Sequence, residues 1–573
     1  MKRNAKIHPN LNMLSQFLIA IGFAVLIAGC GSSNPYLNYR PLPDDHRPIP
    51  EPKKQKINIP KDGFDKTISD QIEQTFDFSR QLRNISGNRK RALNADPFGE
   101  VANSSWFTNR NAKRTLTLDE IAKGPNQGAE PTPTGTWTIF KAKVEGVTPG
   151  FHVEDGKGIK WVIKLDPQDY PELGSGAEVV STKLFYAAGY NVPENYIVKF
   201  DPEILRIGRN VTIEDHKGRK RQMTGDDLQQ LLSKVQKQPD GRFRAIASKY
   251  LQGKLLGPFM YKGTRKDDPN DIIPHQHHRE LRGLRVFAAW LNHFDTKANN
   301  TLDVYLEDGQ FIRHCLIDFG STLGSNGDEP MSAQIGHENG FDPHQFAANI
   351  FTLGFHVKGW EKSGEIQYPS IGYFESELFR SEKYKFLIPN PAFELMADED
   401  AFWGAKLVMS FTNEQLQTAV DQGEYSDPEA AAYLLQVLKE RRDKTGRYWF
   451  NKMTPLDNFR IREASNGKTE LHFTDLAIES SLESAANTTY RYRIKVDDSI
   501  VVNTTGFGGK TSLELPLPEN NRMTNGSTDE ARTGEISIQA KRGPHGKWIR
   551  LVKIYVSLTS EGSGYTLLGV RRE

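Results

Sequence analysis

The sequence predicts an α+β body of two lobes, one β-rich and one helical, followed by a β-sandwich, and three observations carry that prediction. From Trp137 to Phe200, short apolar runs alternate with turn residues, as strands require. From Arg279 to Tyr448 the apolar residues recur at helical spacing, and beyond about residue 455 the period becomes two. Between these, Asp295 and Asn300 precede a hairpin pattern that ends on Asp318-Phe319-Gly320. Leu302, Val304 and Leu306 alternate with polar positions, Asp308-Gly309 is a turn, and Phe311 to Ile317 returns as a strand. Both ends of that hairpin reach the same place, so two acids and an amide are gathered there.

The chain opens with Lys2, Arg3 and Lys6, then an apolar run from Phe17 to Gly29. Ile27-Ala28-Gly29-Cys30 has the form of a bacterial lipoprotein cleavage box, and the apolar run is short for a membrane span. The expectation is a signal peptide over 1–29 and lipidation of Cys30, which would hold the mature chain to a lipid bilayer outside the cytoplasm. An uncleaved anchor is the alternative. Gly31 rather than Asp follows the cysteine, which by resemblance to such lipoproteins points to the outer membrane. Residues 30–95 then divide into a tether rich in proline and charge, to about residue 62, and a helix over Asp65–Leu82. The tether is expected to lift the body off the membrane. Net charge is +2, from 74 basic and 72 acidic residues, so no basic field argues for nucleic acid. Of the two cysteines, Cys315 has no partner once Cys30 is lipidated, and it reads as a small buried hydrophobe.

Residues 96–270 hold an N-terminal extension and the β-rich lobe. Strands are expected at Trp137–Phe140, Phe151–Val153 and Trp161–Leu165, with a turn over Gly146–Gly150. Lys164 ends the third strand, and Glu178 lies on a helix over Ala177–Ala188 closed by Gly189. Ser175-Gly176-Ala177-Glu178 is also a capping-box pattern, which alone would account for the glutamate. Further strands fall at Tyr196–Phe200 and Ala245–Leu251, around a charged insertion with a helix near Asp226–Val235.

The helical lobe spans 271–454. His275-Gln276-His277-His278 could suggest a metal, but so tight a run cannot easily turn every imidazole to one ion, and a solvated loop is the preferred reading. Leu281, Leu284, Ala288 and Leu291 share one helix face. Helices follow at 344–353, 398–411, 413–423 and 427–448, the last with a core stripe of Ala430, Leu434, Leu435, Val437 and Leu438. In 455–573, Tyr490, Tyr492, Ile494 and Val496 alternate with charged residues, as do Ile536, Ile538 and Ala540, giving at least six strands of a β-sandwich. That module binds glycan or protein, or caps the helical lobe.

The order Lys164, Glu178, Asp295, Asn300, Asp318-Phe319-Gly320 resembles the protein-kinase-like superfamily over about residues 135–450. It is closest in spacing to the atypical branches: HipA-type bacterial kinases, phosphoinositide kinases and secreted Golgi-type kinases. The stretch from Lys164-Leu165-Asp166-Pro167 to Tyr196 also resembles a group of exported bacterial lipoproteins. The resemblance implies a bilobal kinase-like fold and the cofactors Mg²⁺ and ATP. It places Lys164 on the phosphates, Glu178 on Lys164, Asp295 on the acceptor hydroxyl, and Asn300 and Asp318 on the metal. His293 would brace the backbone, and Tyr250 and Leu251 would supply the hinge beside an adenine. The chain departs from the family in three places: Gly146-Val147-Thr148-Pro149-Gly150 lacks GxGxxG spacing, His293-Phe294-Asp295 replaces His-Arg-Asp, and no Ala-Pro-Glu follows Asp318. The expected function is a Mg²⁺-dependent phosphotransferase domain on an extracytoplasmic, membrane-anchored lipoprotein, where ATP is scarce. A pseudokinase, or an envelope-binding scaffold without catalysis, is the alternative. Acceptor substrate and envelope partner are not legible.

Overall fold

The computed structural model describes residues 35–56, 90–338, 360 and 364–573, except 129, 133, 144–147, 215–218, 389, 498, 517–531 and 559–563. The expected signal peptide, Cys30 and the helices expected over 65–82 and 344–353 lie outside the described residues. Among the described residues no helix is long and apolar enough to cross a membrane.

A short helix α1 (Leu118–Lys123) precedes the β-rich lobe, capped by Thr117 and Glu120 in a reciprocal box. Strands β1 (Trp137–Ala142), β2 (Gly150–Glu154) and β3 (Lys160–Leu165) form an antiparallel meander. Because side chains alternate across a strand, Ile139, Phe151, Val153, Trp161 and Ile163 enter one core while His152 and Lys164 take the opposite face. Helix α2 (Leu173–Ala188) follows, then β4 (Asn195–Phe200), β5 (Leu205–Ile207), β6 (Thr212–Glu214), β7 (Lys220–Gln222), helix α3 (Gly225–Leu232) and β8 (Phe243–Lys249). The sheet order is β4-β8-β3-β2-β1-β5. The charged insertion of the sequence covers the outer face of this sheet with Val211, Met223, Leu228 and Leu232.

Helix α2 begins at Leu173, four residues before the expected Ala177, and the capping box does not form. Asp166, just past β3, caps the helix instead, accepting from Glu172 N (3.1 Å), Ser175 N (2.8 Å) and the Ser175 hydroxyl. That long-range cap leaves the Glu178 carboxylate to another partner.

The chain crosses between lobes at Tyr250–Gly253 and enters β9 (Lys254–Gly257), which pairs with β10 (Thr301–Leu306) and through it with β11 (Phe311–Leu316). Helices α4 (Arg279–Trp290), α5 (Asp398–Met409), α6 (Asn413–Asp421) and α7 (Pro428–Lys452) build the second lobe around one large core. Helix α4 is enclosed on every side. Its buried Arg279 and Arg282 share Asp400 of α5 at 3.1 Å each, and Trp290 Nε1 donates to Leu438 O at 2.9 Å. The histidine run beside it is not a solvated loop. His275 bonds Asp271 and Met260 O, His278 bonds Glu280 and Ile273 O, and His277 faces Arg282. These divergent partners also separate the rings from any common ion.

The C-terminal strands are β12 (Leu456–Glu463), β13 (Thr469–Asp475), β14 (Thr488–Val496), β15 (Ser499–Asn503), β16 (Phe507–Gly508), β17 (Ser512–Glu514), β18 (Thr533–Arg542), β19 (Val552–Leu558) and β20 (Tyr565–Arg572). They form a sheet β12-β13-β17 and a sheet β15-β14-β18-β19-β20, with β16 beside β14. Leu471 and Leu513 of the first and Ile494, Ile536 and Ile554 of the second meet in one core, so the module is a sandwich. The α+β class, with a β-rich lobe, a helical lobe and a C-terminal sandwich, is the fold observed.

Asp457 joins sandwich to helical lobe, contacting Lys406 of α5 and, at 3.2 Å, Arg572. Burial would raise its carboxyl, but Lys406 and Arg572 outweigh that and lower it to about 2. Since the folded value lies below the unfolded 3.8, this stabilisation is present above about pH 4 and is lost as pH falls toward 2. The expected loss is about 2 kcal/mol. Denaturant melts of wild type and Asp457→Asn should differ at pH 6 and converge near pH 2.

The proline-rich segment is not a free tether. Tyr36 packs edge-on against Tyr555 (5.5 Å) and donates to Val570 O at 2.9 Å. Asp45 accepts from Ser105, Asn270 donates to Arg47 O at 2.7 Å, and Ile49 is buried with Leu256, Tyr305 and Ile312. Gln55 N donates to Leu256 O at 2.6 Å. Gly257, at φ 97°, permits this approach, since a Cβ there would sit 2.2 Å from Gln55 O. Proline gave the extended backbone that composition predicts, and an apolar groove with free backbone partners then bound it.

Candidate active site

The hairpin β10–β11 forms where it is expected, although Leu302 and Leu306 are only half-buried while Thr301, Asp303 and Tyr305 are buried with Val304. Thr301 pairs with Leu316, and Ile317 N donates to Asn300 O at 3.0 Å, so Asn300 and Asp318 emerge at one end. Asp318 takes φ 63°, a left-handed conformation unusual for a non-glycine residue, and its side chain is 46% exposed toward the cleft. Phe319 turns the other way and is buried against Phe185 of α2, ring centroids 4.6 Å apart. Gly320 lies flat against the site, where a Cβ would fall 3.5 Å from Glu178 Oε2. Thr322 Oγ1 and Ser181 Oγ, 2.6 Å apart, fasten the next residues to α2. His293 Nδ1 faces Ser321 O at 3.2 Å, the bracing position that the resemblance implies.

Lys164 reaches this point from β3. Its Nζ donates to both Glu178 oxygens and to Asp318 Oδ1, each at 2.8 Å, with the side chain 11% exposed. Burial alone would lower the ammonium pKa, but the charges of Asp318 and Glu178 reverse that and hold it above its ordinary range. Burial raises the Glu178 carboxyl. At Asp318 burial pulls upward, and Lys164, with Lys143 and His293, brings the net shift below the ordinary value. Asp295 belongs to the loop after α4. Asn300 Nδ2 donates to its backbone oxygen (2.8 Å) and to Oδ2 (2.9 Å), and Lys297 Nζ lies 3.0 Å from Oδ1. Lys164, Glu178 and Asp318 thus form one contact group, Asp295 and Asn300 another, joined through the Asn300–Ile317 backbone bond. Cys30 lies outside the described residues.

Two features escaped the sequence. Lys143, past β1, donates to Thr148 O at 2.8 Å over the same cleft. Burial lowers its pKa, Lys164 adds to that, and Asp318 and Glu178 oppose it, which places a second ammonium in the field of the group. No motif marks it, because the loop it belongs to lacks GxGxxG. On the same sheet face Phe140, His152 and Tyr250 cluster, and Tyr250 Oη meets His152 Nδ1 at 2.7 Å. Burial, then Lys141 and Lys143, push the imidazole to about 4, so it is neutral at pH 7.

The donor set suits a hard divalent cation. Asp318 and Asn300 offer carboxylate and amide oxygen, and among the described residues no thiolate shares the cleft; Cys315 is buried in β11, its thiol pushed up to about 12 by burial.

No protein-family model matches the chain, and no curated protein matches it. Solved structures do. The Helicobacter pylori proinflammatory kinase CtkA aligns at 11% identity over 55% of this chain and 99% of its own, with a TM-score of 0.29. A Golgi casein kinase aligns at 10% identity over 73% of this chain and 92% of its own, TM-score 0.30. A Golgi casein kinase with Mn/ADP bound aligns at 11% identity over 72% of this chain and 93% of its own, TM-score 0.27. At such scores the functional reading rests on the site's own geometry.

Proposed function

We propose that the cleft binds a nucleoside triphosphate with Mg²⁺ and transfers its terminal phosphoryl group to a hydroxyl acceptor. The observation that carries this is Lys164, held charged between Glu178 and Asp318 at 2.8 Å each and facing the hairpin end that bears Asn300. A lysine so clamped has its Nζ placed for phosphate oxygens, with Glu178 fixing its rotamer. Lys143 adds a second cation above. Asp295 orients the acceptor hydroxyl and takes its proton as that oxygen bonds to phosphorus and the bond to the nucleoside diphosphate breaks. Asn300 and Asp318 would hold Mg²⁺, which supplies charge neutralisation on the phosphates when bound. The test is label transfer from γ-labelled ATP, with and without Mg²⁺, by the chain lacking residues 1–29. A chain that neither binds nucleotide nor transfers label sinks the enzyme reading and favours a scaffold.

The location proposed is the cell envelope, on the outer membrane, through lipidated Cys30. Ile27-Ala28-Gly29-Cys30 at the end of the apolar run supports it. Cys30→Ser should leave the signal uncleaved and incorporate no labelled palmitate; incorporation would remove the lipoprotein assignment.

A further inference from the structure

The helical lobe contains a small pocket that the proposed transfer does not use. It has a volume of about 100 Å³ and is lined by Asn292, His337, Glu375, Arg380, Lys383 and Arg441, among others. Arg441 comes from the middle of α7 and is only 3% exposed. Its Nη2 donates to Ala289 O at 3.1 Å, its guanidinium lies over the rings of Phe374 (4.5 Å) and Phe379 (4.0 Å), and its buried Nε has no hydrogen-bond partner among the described residues. Among the described residues no carboxylate lies within ion-pair distance of it. Burial pushes this guanidinium down to about 10, with only distant help from Tyr384 and Glu375. Buried cations are ordinarily paired, because an unpaired one costs several kcal/mol. Two aromatic faces supply part of that compensation.

The walls repeat the sign. Exposed Arg380 and Lys383 stand at the rim, and burial, aided by Arg441 and opposed by Glu375 and Glu338, lowers the pKa of His337. The one carboxylate of the lining, Glu375, is already engaged by Leu378 N at 2.8 Å. We propose that this pocket is an anion site for a phosphate-type oxyanion, free or carried as a phosphoryl group on a side chain, with Arg441 at its base and Arg380 and Lys383 at its mouth. Guanidinium and ammonium groups converging on a small polar cavity are the recurrent solution for that ligand.

The pocket also touches the machinery of the first site. Asn292, at φ 56°, lies three residues before Asp295, accepts from Tyr384 Oη at 2.8 Å and donates to Met331 Sδ at 3.1 Å. An anion drawing Arg441 and the 379–384 segment together would therefore stiffen the start of the Asp295 loop.

Inorganic phosphate is the probe, titrated into the full chain at constant ionic strength with chloride as control. Phosphate should raise the melting temperature saturably, and the double variant Arg380→Gln/Lys383→Gln, which leaves the core untouched, should bind it at least about tenfold more weakly. Arg441→Met should abolish the response if it folds. An unchanged response in the rim variant overturns the proposal, as does no response in wild type. O-phosphoserine tested beside phosphate separates the sources: tighter binding of the phosphoamino acid assigns the site to a phosphorylated segment, tighter binding of phosphate to the free ion.

Discussion

Replacing Lys164 with methionine is expected to abolish phosphoryl transfer and to destabilise the chain in the same stroke. The ammonium links β3 to α2 and to Asp318, donating to both carboxylates at 2.8 Å. Without it, Glu178 and Asp318 face each other with no cation between them, one of them nearly buried. Removing one partner of such a group costs about 3–5 kcal/mol, while loss of a donor to the transferring group costs about 10²–10³ in rate. Glu178→Gln should be milder in stability, since the amide fills the same volume and still accepts from Lys164. Its transfer rate should nonetheless fall, because the lysine is no longer held. Urea melts beside label-transfer assays give both quantities, and an equally stable, equally active Lys164→Met chain would dispose of the site. The pH signature has a fixed sign. The folded pKa of Lys164 lies above its unfolded 10.5, so its stabilisation is complete below that value and disappears as pH rises through the folded one.

The second large effect separates the two acids. Asp318→Ala should abolish Mg²⁺-dependent nucleotide binding, whereas Asp295→Ala should largely spare binding and remove transfer. Asp318 offers its charge to the metal and phosphates, while Asp295 serves a hydroxyl whose proton is lost only during the reaction. Thermal shifts of wild type and both variants, with and without Mg²⁺ and ATP, read the difference. If both acids merely stabilised loops, each substitution would lower the melting temperature and neither would change the response to ligand.

How far the sequence foretold this arrangement depends on the range of the interaction. The hairpin that carries Asn300 to Asp318 was legible because strand-forming runs on either side of a turn centred on Asp308-Gly309 are local signals, and register follows from the position of that turn. The sandwich was legible for the same reason. Glu178 was ambiguous: its spacing from Ser175 matched a capping box, and only the distant Asp166, occupying the helix end, decided between cap and site. Lys143 left no signal, and Tyr250, expected at the hinge, gave no hint of Phe140 and His152, which meet it only when the sheet is assembled. The histidine run misled because composition speaks of solvation, while Asp271 and Glu280, the partners that bury those rings, are chosen by packing.

The bound proline-rich segment changes what the molecule is, mechanically. If Cys30 carries lipid, as proposed, the attachment would be six residues from Tyr36, which is fixed to Tyr555 and Val570 at the sandwich edge. Six residue steps reach at most about 20 Å. On the proposed anchoring the body would be a bracketed device rather than a ball on a string: its standoff would be short, its sandwich edge would face the bilayer, and the site would have a set bearing relative to the surface. Acceptors that fit would be those presented at a matching height, so membrane geometry itself would become a filter on substrates.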